Sequence, residues 1–275
     1  MINLMISGND KVADGLLIIV LSYLKHNKEP VTVYFLTMDL IQENPSFKKI
    51  SSKKAEYINN ILQERHDGSC LKVIDASQVF IGYMEKSVNL KSVYTPYAML
   101  RLFADLIPEI PDKILYLDAD TLIAKDISSL YQTDLEGKEF AAALDMVGSV
   151  WLHRWYMNSG VMLFNMSEVR KTGLFEKCRH FILHNLSFMP DQDALNYYVK
   201  NHVTLPMKYN QQGKVQPDTV IKHFPKTFIW LPFPHLRNIK PWMVEQVHSE
   251  LKITCYDDVL DDFVSRRDEF HKLEE

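Results

Sequence analysis

Residues Ile114 to Thr121 read Ile-Leu-Tyr-Leu-Asp-Ala-Asp-Thr, an apolar run that ends in two carboxylates, Asp118 and Asp120, spaced i and i+2. Two acids placed where a strand runs out into a loop can converge on one cation. Hard divalent ions such as Mn2+ and Mg2+ take oxygen ligands and share them with substrate phosphates. A buried strand that delivers two negative charges without adjacent basic partners needs compensation, and a metal–diphosphate complex supplies it. The plainer reading is a solvated loop in which Asp120 or Asp126 caps a helix.

The surrounding elements decide whether such a pair can face a ligand. Val31–Thr37 is rich in β-branched and aromatic residues, and Ile2–Ile6, Leu71–Ile74, Ile114–Leu117, Phe140–Leu144 and Ser159–Asn165 are short, mainly apolar runs; each predicts a strand. Helical spacing predicts helices over Ala13–Lys25, Ser46–His66, Leu174–Asn185 and Asp191–Val199, and one opening at Thr95-Pro96. Trp151–Tyr156 predicts a loop or short helix, and the proline-rich stretch Phe224–Pro241 a structured loop. Alternating strands and helices predict an α/β fold with a mainly parallel central sheet and helices on both faces. Such sheets bind ligands beyond the carboxyl ends of their strands. Asn9 and Asp10 follow the first strand there, Asp118 and Asp120 the fourth, and Asp145 the next.

Composition narrows the function classes. The 275 residues are 47% hydrophobic, enough for a sizeable core, and the formal charge of −4 argues against a nucleic-acid partner. Cys70, Cys178 and Cys255 are too widely spaced for a zinc knuckle or a disulfide framework, which points to a reducing, cytoplasmic setting. No run approaches the ~20 apolar residues of a membrane span, and Ile2–Ile6 reads as a strand rather than a leader's apolar core. From Asp257 to the end, eight acids face three Lys and Arg residues, so 243–275 predicts an acidic, helical C-terminal tail beside a body of residues 1–242.

Asp118-Ala-Asp120-Thr also resembles the first motif of haloacid-dehalogenase-type phosphatases, where Asp118 would be a nucleophile and Asp120 a general acid. That motif normally begins its domain, whereas a substantial α/β unit precedes it here. Further segments fit a different pattern: Tyr97-x-x-x-Arg101, Asn158-Ser-Gly160, Asp191-Gln192-x-x-Leu-Asn196, and His223 followed by Lys240-Pro-Trp242. Together with Asp118-x-Asp120, in this order, they make the chain resemble glycosyltransferase family 8, which includes bacterial lipopolysaccharide galactosyl- and glucosyltransferases and the glycogenins. The resemblance runs from Ile2 to Trp242.

It implies a GT-A-type single domain that transfers a hexose, glucose or galactose, from a UDP-sugar with retention of configuration. The acceptor would be a glycan, a lipid-linked sugar or a glycoprotein, reached without a transmembrane segment but at the membrane periphery where the acceptor requires it. Asp118, Asp120 and His223 would bind Mn2+, with Mg2+ as the alternative ion. Arg101, Asp145 and Asn158 would recognise the donor sugar, and Asp191 and Gln192 would lie beside its anomeric carbon. Lys240 would contact the diphosphate, and Ser7, Gly8, Asn9, Asp10 and Lys11 would form the nucleotide-binding loop. A nucleotide-sugar binder without catalysis is the remaining alternative.

The chain departs from the family pattern in two places. Lys11 adds a charge to the first-strand loop, and the His-x-x-Gly-x-x-Lys-Pro-Trp motif is interrupted. Lys226 stands at the glycine, and seventeen positions separate His223 from Lys240. The insert carries Phe228, Trp230, Phe233 and His235 with Pro232 and Pro234, and can be either a wall of the acceptor site or a flap packed on the sheet. Trp151, His153, Arg154 and Trp155 can form a lid over the donor or a plain surface loop.

Overall fold

Strands buried on both faces carry apolar runs rather than alternation, and every residue of Val31–Thr37 is buried. The computed structural model describes residues 1–84, 87, 89, 96–229, 233 and 235–273. Its strands are β1 (Ile2–Ser7), β2 (Val31–Thr37), β3 (Cys70–Asp75), β4 (Lys113–Asp118), β5 (Thr121–Ile123) and β6 (Phe140–Leu144), followed by β7 (Met157–Asn165), β8 (His202–Leu205), β9 (Ile221–His223), β10 (Thr227–Ile229) and β11 (His235–Arg237). Seven of them form one sheet in the order β3-β2-β1-β4-β7-β6-β8. The pairs β2–β3, β1–β2, β1–β4 and β6–β8 are parallel. β7 runs antiparallel to both β4 and β6.

That one reversal changes which chain ends meet. β4 and β6 bring their carboxyl ends to one edge of the sheet, whereas β7 brings its amino end there, with Asn158, Ser159 and Gly160. Side chains on β1 and β4 divide by the two-residue period. Ile6 and Leu117 enter one core with the Ala13–His26 helix, while Met5 and Tyr116 enter a second with Pro96–Leu106 and Leu174–His184. Among the described residues no helix is long and apolar enough to cross a membrane.

Three local expectations need correction. The helix expected over Ser46–His66 spans only Ser52–Arg65, because the preceding backbone is claimed by tertiary bonds. The Ile50 amide donates to Thr37 Oγ1 at 3.4 Å and the Ser51 amide to Asp10 Oδ1 at 3.1 Å. The segment Pro96–Leu106 winds as a 3-10 helix; Thr95 lies outside the described residues. The loop after His223 contains a short antiparallel hairpin, β10–β11. Phe228, Phe233 and His235 of that insert are exposed. Trp230, Pro232 and Pro234 lie outside the described residues.

Segment 243–275 carries the expected C-terminal helix, and that helix packs on the body. Its helix Asp257–His271 turns Val259, Leu260, Phe263 and Phe270 into the same core as the Ala13–His26 helix. Its acids face outward, where Asp258 pairs with Lys25 and Asp262 with Arg65. An amphipathic stripe of this kind buries its apolar side whatever its net charge. Truncating Phe263 to Ala should therefore cost about 3–5 kcal/mol. Urea unfolding should show this as one transition at lower midpoint; a body transition left unmoved would mean the segment folds apart from it.

Candidate functional site

Asp118 ends β4 beside Ser7 of β1. Thr121 Oγ1 donates to the Asp118 carbonyl at 2.9 Å, closing the turn that swings Asp120 round. The Ala13–His26 helix packs directly under this turn, and a Cβ on Gly15 would lie 2.1 Å from the Ala119 carbonyl oxygen; only glycine lets the helix approach that closely. β5 then pairs antiparallel with β9, placing Thr121 opposite His223, and the Phe224 amide donates to the Asp120 carbonyl at 2.9 Å. Two three-residue strands thus carry the histidine to the acids.

One ligand atom from each of Asp118, Asp120 and His223 lies within 4.8 Å of the other two. His223 Nε2 is 3.3 Å from Asp120 Oδ1 and 3.8 Å from Asp118 Oδ2. Two carboxylates and an imidazole, clustered this tightly, fit a divalent ion and leave coordination positions for substrate oxygens. Lys240 Nζ meets Asp120 Oδ2 at 2.5 Å and also donates to the Phe224 carbonyl at 2.9 Å. Burial alone would raise the Asp120 pKa, but Lys240 and His223 hold it well below the usual carboxylate range. Asp120 is therefore ionised at neutral pH.

Behind this cluster lies Arg101, 1% exposed. Its Nη2 donates to Asp118 Oδ1 at 2.7 Å, its Nε lies 3.2 Å from Asp191 Oδ2, and its Nη1 donates to the Ser159 carbonyl. The guanidinium stacks over the Tyr116 ring at 3.9 Å. Tyr116 donates its hydroxyl proton to Asp118 Oδ1 at 2.9 Å, so Ser7 Oγ, 2.8 Å from the Tyr116 oxygen, must be the donor in that pair. Burial raises the Asp191 pKa, and Arg101 offsets it only in part, with Asp118 pushing the same way as burial.

The remaining expected residues fall around this pair. Asp145 Oδ1 accepts from the Val147 and Gly148 amides at 3.0 and 2.7 Å, and Oδ2 from Asn158 Nδ2 and Gln192 Nε2 at 2.8 and 3.3 Å. Gln192 Oε1 accepts from the Ser159 amide at 2.9 Å. Asn9 Nδ2 donates to the Ser46 carbonyl at 3.2 Å and the Gly8 amide to the Leu36 carbonyl at 3.0 Å. Asp10 Oδ2 pairs with Lys54 at 2.6 Å, while Lys11 is exposed. Arg101, Asp10 and Asp145 thus spend their polar atoms on protein partners and shape the pocket from behind. Beyond the Asp145 cap, Trp151 is 75% and Trp155 53% exposed.

Tyr116, Ser159, Asn210 and Lys222 join the site although sequence reasoning does not single them out. Tyr116 lies within the octapeptide and Ser159 within the Asn-Ser-Gly motif, so a signal for both exists. Asn210 and Lys222 carry no motif; the β5–β9 pairing and the bridge between Gln211 and Lys222 bring them there. Lys222 Nζ is enclosed by the carbonyls of Gln211, Gln212, Gly213 and His223 at 2.7–3.3 Å, and burial pulls its pKa down to about 8.

A family model described as glycosyl transferase family 8 matches residues 3–245. The chain belongs to that family. A probable glycosyl transferase of Streptococcus gordonii is 30% identical over 159 residues, which is 56% of this chain and 23% of that protein. The lipopolysaccharide 1,2-glucosyltransferase of Escherichia coli K12 is 31% identical over 132 residues, 43% of this chain and 39% of that one. This family-8 chain spans less than half of several curated relatives, 23%, 44% and 22% of three streptococcal ones. Among solved structures, the galactosyltransferase LgtC, in complex with donor and acceptor sugar analogs, superposes with a TM-score of 0.67 at 17% identity, covering 95% of this chain and 96% of LgtC. The bifunctional glycosyltransferase WbbM superposes with a TM-score of 0.70 at 16% identity, covering 99% of this chain and 51% of WbbM. These likenesses establish the GT-A-type α/β fold.

Replacing Arg101 with Met should strand Asp118 and Asp191 without their shared countercharge and cost about 3 kcal/mol or more. Adding Asp191→Asn should return part of that loss, because it removes one of the two stranded charges. Urea denaturation of the single and double variants checks this; purely additive losses would show that the two residues are not coupled.

Proposed function

We propose that this family-8 chain is a retaining, metal-dependent hexosyltransferase that moves glucose or galactose from a UDP-sugar to a glycan, lipid-linked or glycoprotein acceptor. The observation that carries the reading is the convergence of Asp118, Asp120 and His223 on one point, with Lys240 on the same carboxylate. A nucleoside diphosphate leaves with negative charge growing on its β-phosphate. A Mn2+ or Mg2+ ion held by the two carboxylates and His223 Nε2 would supply Lewis-acid stabilisation of that charge. Lys240 adds a second positive charge at the same edge, aimed where charge develops.

On the sugar side, Asp191 and Gln192 are the residues the family pattern places beside the anomeric carbon. Asp191 Oδ2 is shared between Arg101 and the Ser159 hydroxyl. Gln192 presents an amide, a poor nucleophile, whose oxygen already accepts from the Ser159 amide and whose nitrogen donates to Asp145. Both arrangements favour front-side attack, in which the acceptor hydroxyl enters beside the departing diphosphate and loses its proton to a phosphate oxygen, over a covalent glycosyl–enzyme route. The hexose assignment is supported by the glucosyltransferase among the relatives and the galactosyltransferase among the structural neighbours. A phosphatase would need Asp118 free to attack phosphorus, yet its Oδ1 is held by both Arg101 and Tyr116.

Asp120→Ala should abolish Mn2+-dependent UDP-sugar hydrolysis while circular dichroism stays unchanged. Full turnover in that variant, or turnover indifferent to chelator, would sink the metal assignment. Lys240→Ala should lower kcat by more than it weakens UDP-sugar binding, because the charge it faces grows in the transition state; loss confined to KM would contradict this.

A further inference from the structure

The geometry points to Asn210 as a positioning residue that fixes which nitrogen of His223 faces the metal ligands. Four buried polar side chains form a chain whose donor and acceptor identities are set from one end. Asp145 is the fixed end, because an ionised carboxylate accepts hydrogen bonds only. Its Oδ2 receives a bond from the Asn158 side chain at 2.8 Å, so the Asn158 atom facing it is the amide nitrogen. The other end of Asn158 supports the orientation independently. It lies 2.9 Å from the backbone N–H of Gly160, which donates, so that atom is the oxygen.

The same oxygen of Asn158 lies 2.8 Å from the Asn210 side chain. An oxygen facing an oxygen would leave two acceptors in repulsion, so Asn210 must present its nitrogen there. Its oxygen therefore faces His223 Nδ1, at 3.0 Å. That oxygen cannot donate, so Nδ1 must carry the proton. Nε2 is left as the atom that faces Asp118 and Asp120. A side-chain amide is ordinarily assigned only from its surroundings, and here the surroundings admit one assignment at every link.

Burial makes the chain binding rather than incidental. Asn210 is fully buried, and Asn158 and His223 are nearly so, so a mismatched pair could not turn to water for relief. Gly160 holds the ring in place from the other side. A Cβ at that position would lie 2.3 Å from His223 Cε1, so the imidazole packs flat against the glycine backbone. Lys222, on the neighbouring residue of β9, ties the Gln211–Gly213 backbone to the strand. Histidine ligands are commonly oriented through their second nitrogen. In this chain that orientation is traced to Asp145, a residue the family pattern places near the donor sugar. One carboxylate thus organises the sugar pocket and also sets the metal face of the histidine.

This inference rests on the proposed metal role of His223, and its test separates the two. In metal-free protein labelled with 15N-histidine, long-range 1H–15N spectra should show His223 Nδ1 protonated, with the signal assigned by its loss in His223→Gln. A bare Nδ1 would overturn the relay whatever the metal does. Asn210→Leu should lose that signature and weaken Mn2+ binding, measured calorimetrically without nucleotide, by about tenfold or more. Asn210→Asp keeps an acceptor at Nδ1 and should retain the protonated signature. Unchanged Mn2+ affinity in Asn210→Leu would overturn the positioning role. If Asn210→Leu fails to fold, the wild-type spectrum and Asn210→Asp still decide. Wild-type protein that shows protonated Nδ1 but binds no Mn2+ would uphold the relay and refute the metal reading alone.

Discussion

The structure turns on a single electrostatic constraint: four acids, Asp118, Asp120, Asp145 and Asp191, are gathered at one sheet edge with little water to screen them. Taking carboxylates out of water is costly unless each is paired or hydrogen-bonded. Arg101 lies between Asp118 and Asp191, Lys240 closes on Asp120, and Asp145 is surrounded by amide donors. Each solution draws on a different element, so the sheet order, the reversed β7 and the 3-10 segment Pro96–Leu106 are all enlisted in charge balance. A cation and a diphosphate arriving at the outer side would complete a balance already struck on the inner side.

Much of the scaffold was legible because strand burial is written plainly in composition. Val31–Thr37 and Phe140–Leu144 fall where their apolar runs place them. The acidic pair stood out for the same reason, since two closely spaced carboxylates end an otherwise apolar strand of Ile, Leu and Tyr. What the sequence hid lies in long-range pairing. Nothing in Ile221-Lys-His223 announces a strand, because it depends on β5 lying beside it, and nothing in Tyr209-Asn210 announces a polar contact, because it depends on β9 lying beside Gln211. The helix start at Ser52 was hidden for a similar reason, because an Asp10 carboxylate competes for the Ser51 amide.

Net charge and burial are separate matters. The acid-rich 243–275 segment reads as an acidic, helical tail, and its helix of net negative charge also presents a continuous apolar stripe to the core. Arg101 and Asp10, which motif position marks as site residues, pair with Asp118, Asp191 and Lys54 at the same end of the sheet.

The pairing of Thr121 with His223 carries a topological consequence. The acids and the histidine belong to segments far apart in the chain, which a nascent or refolding molecule must bring together. Closing so long a loop costs entropy that two three-residue strands offset only with the packing around them. The central sheet carries the same burden, since its β1–β4 pairing joins Leu4 to Leu115. Sheet and site therefore both wait on the meeting of distant stretches of the chain, and neither can be assembled from a short fragment of it.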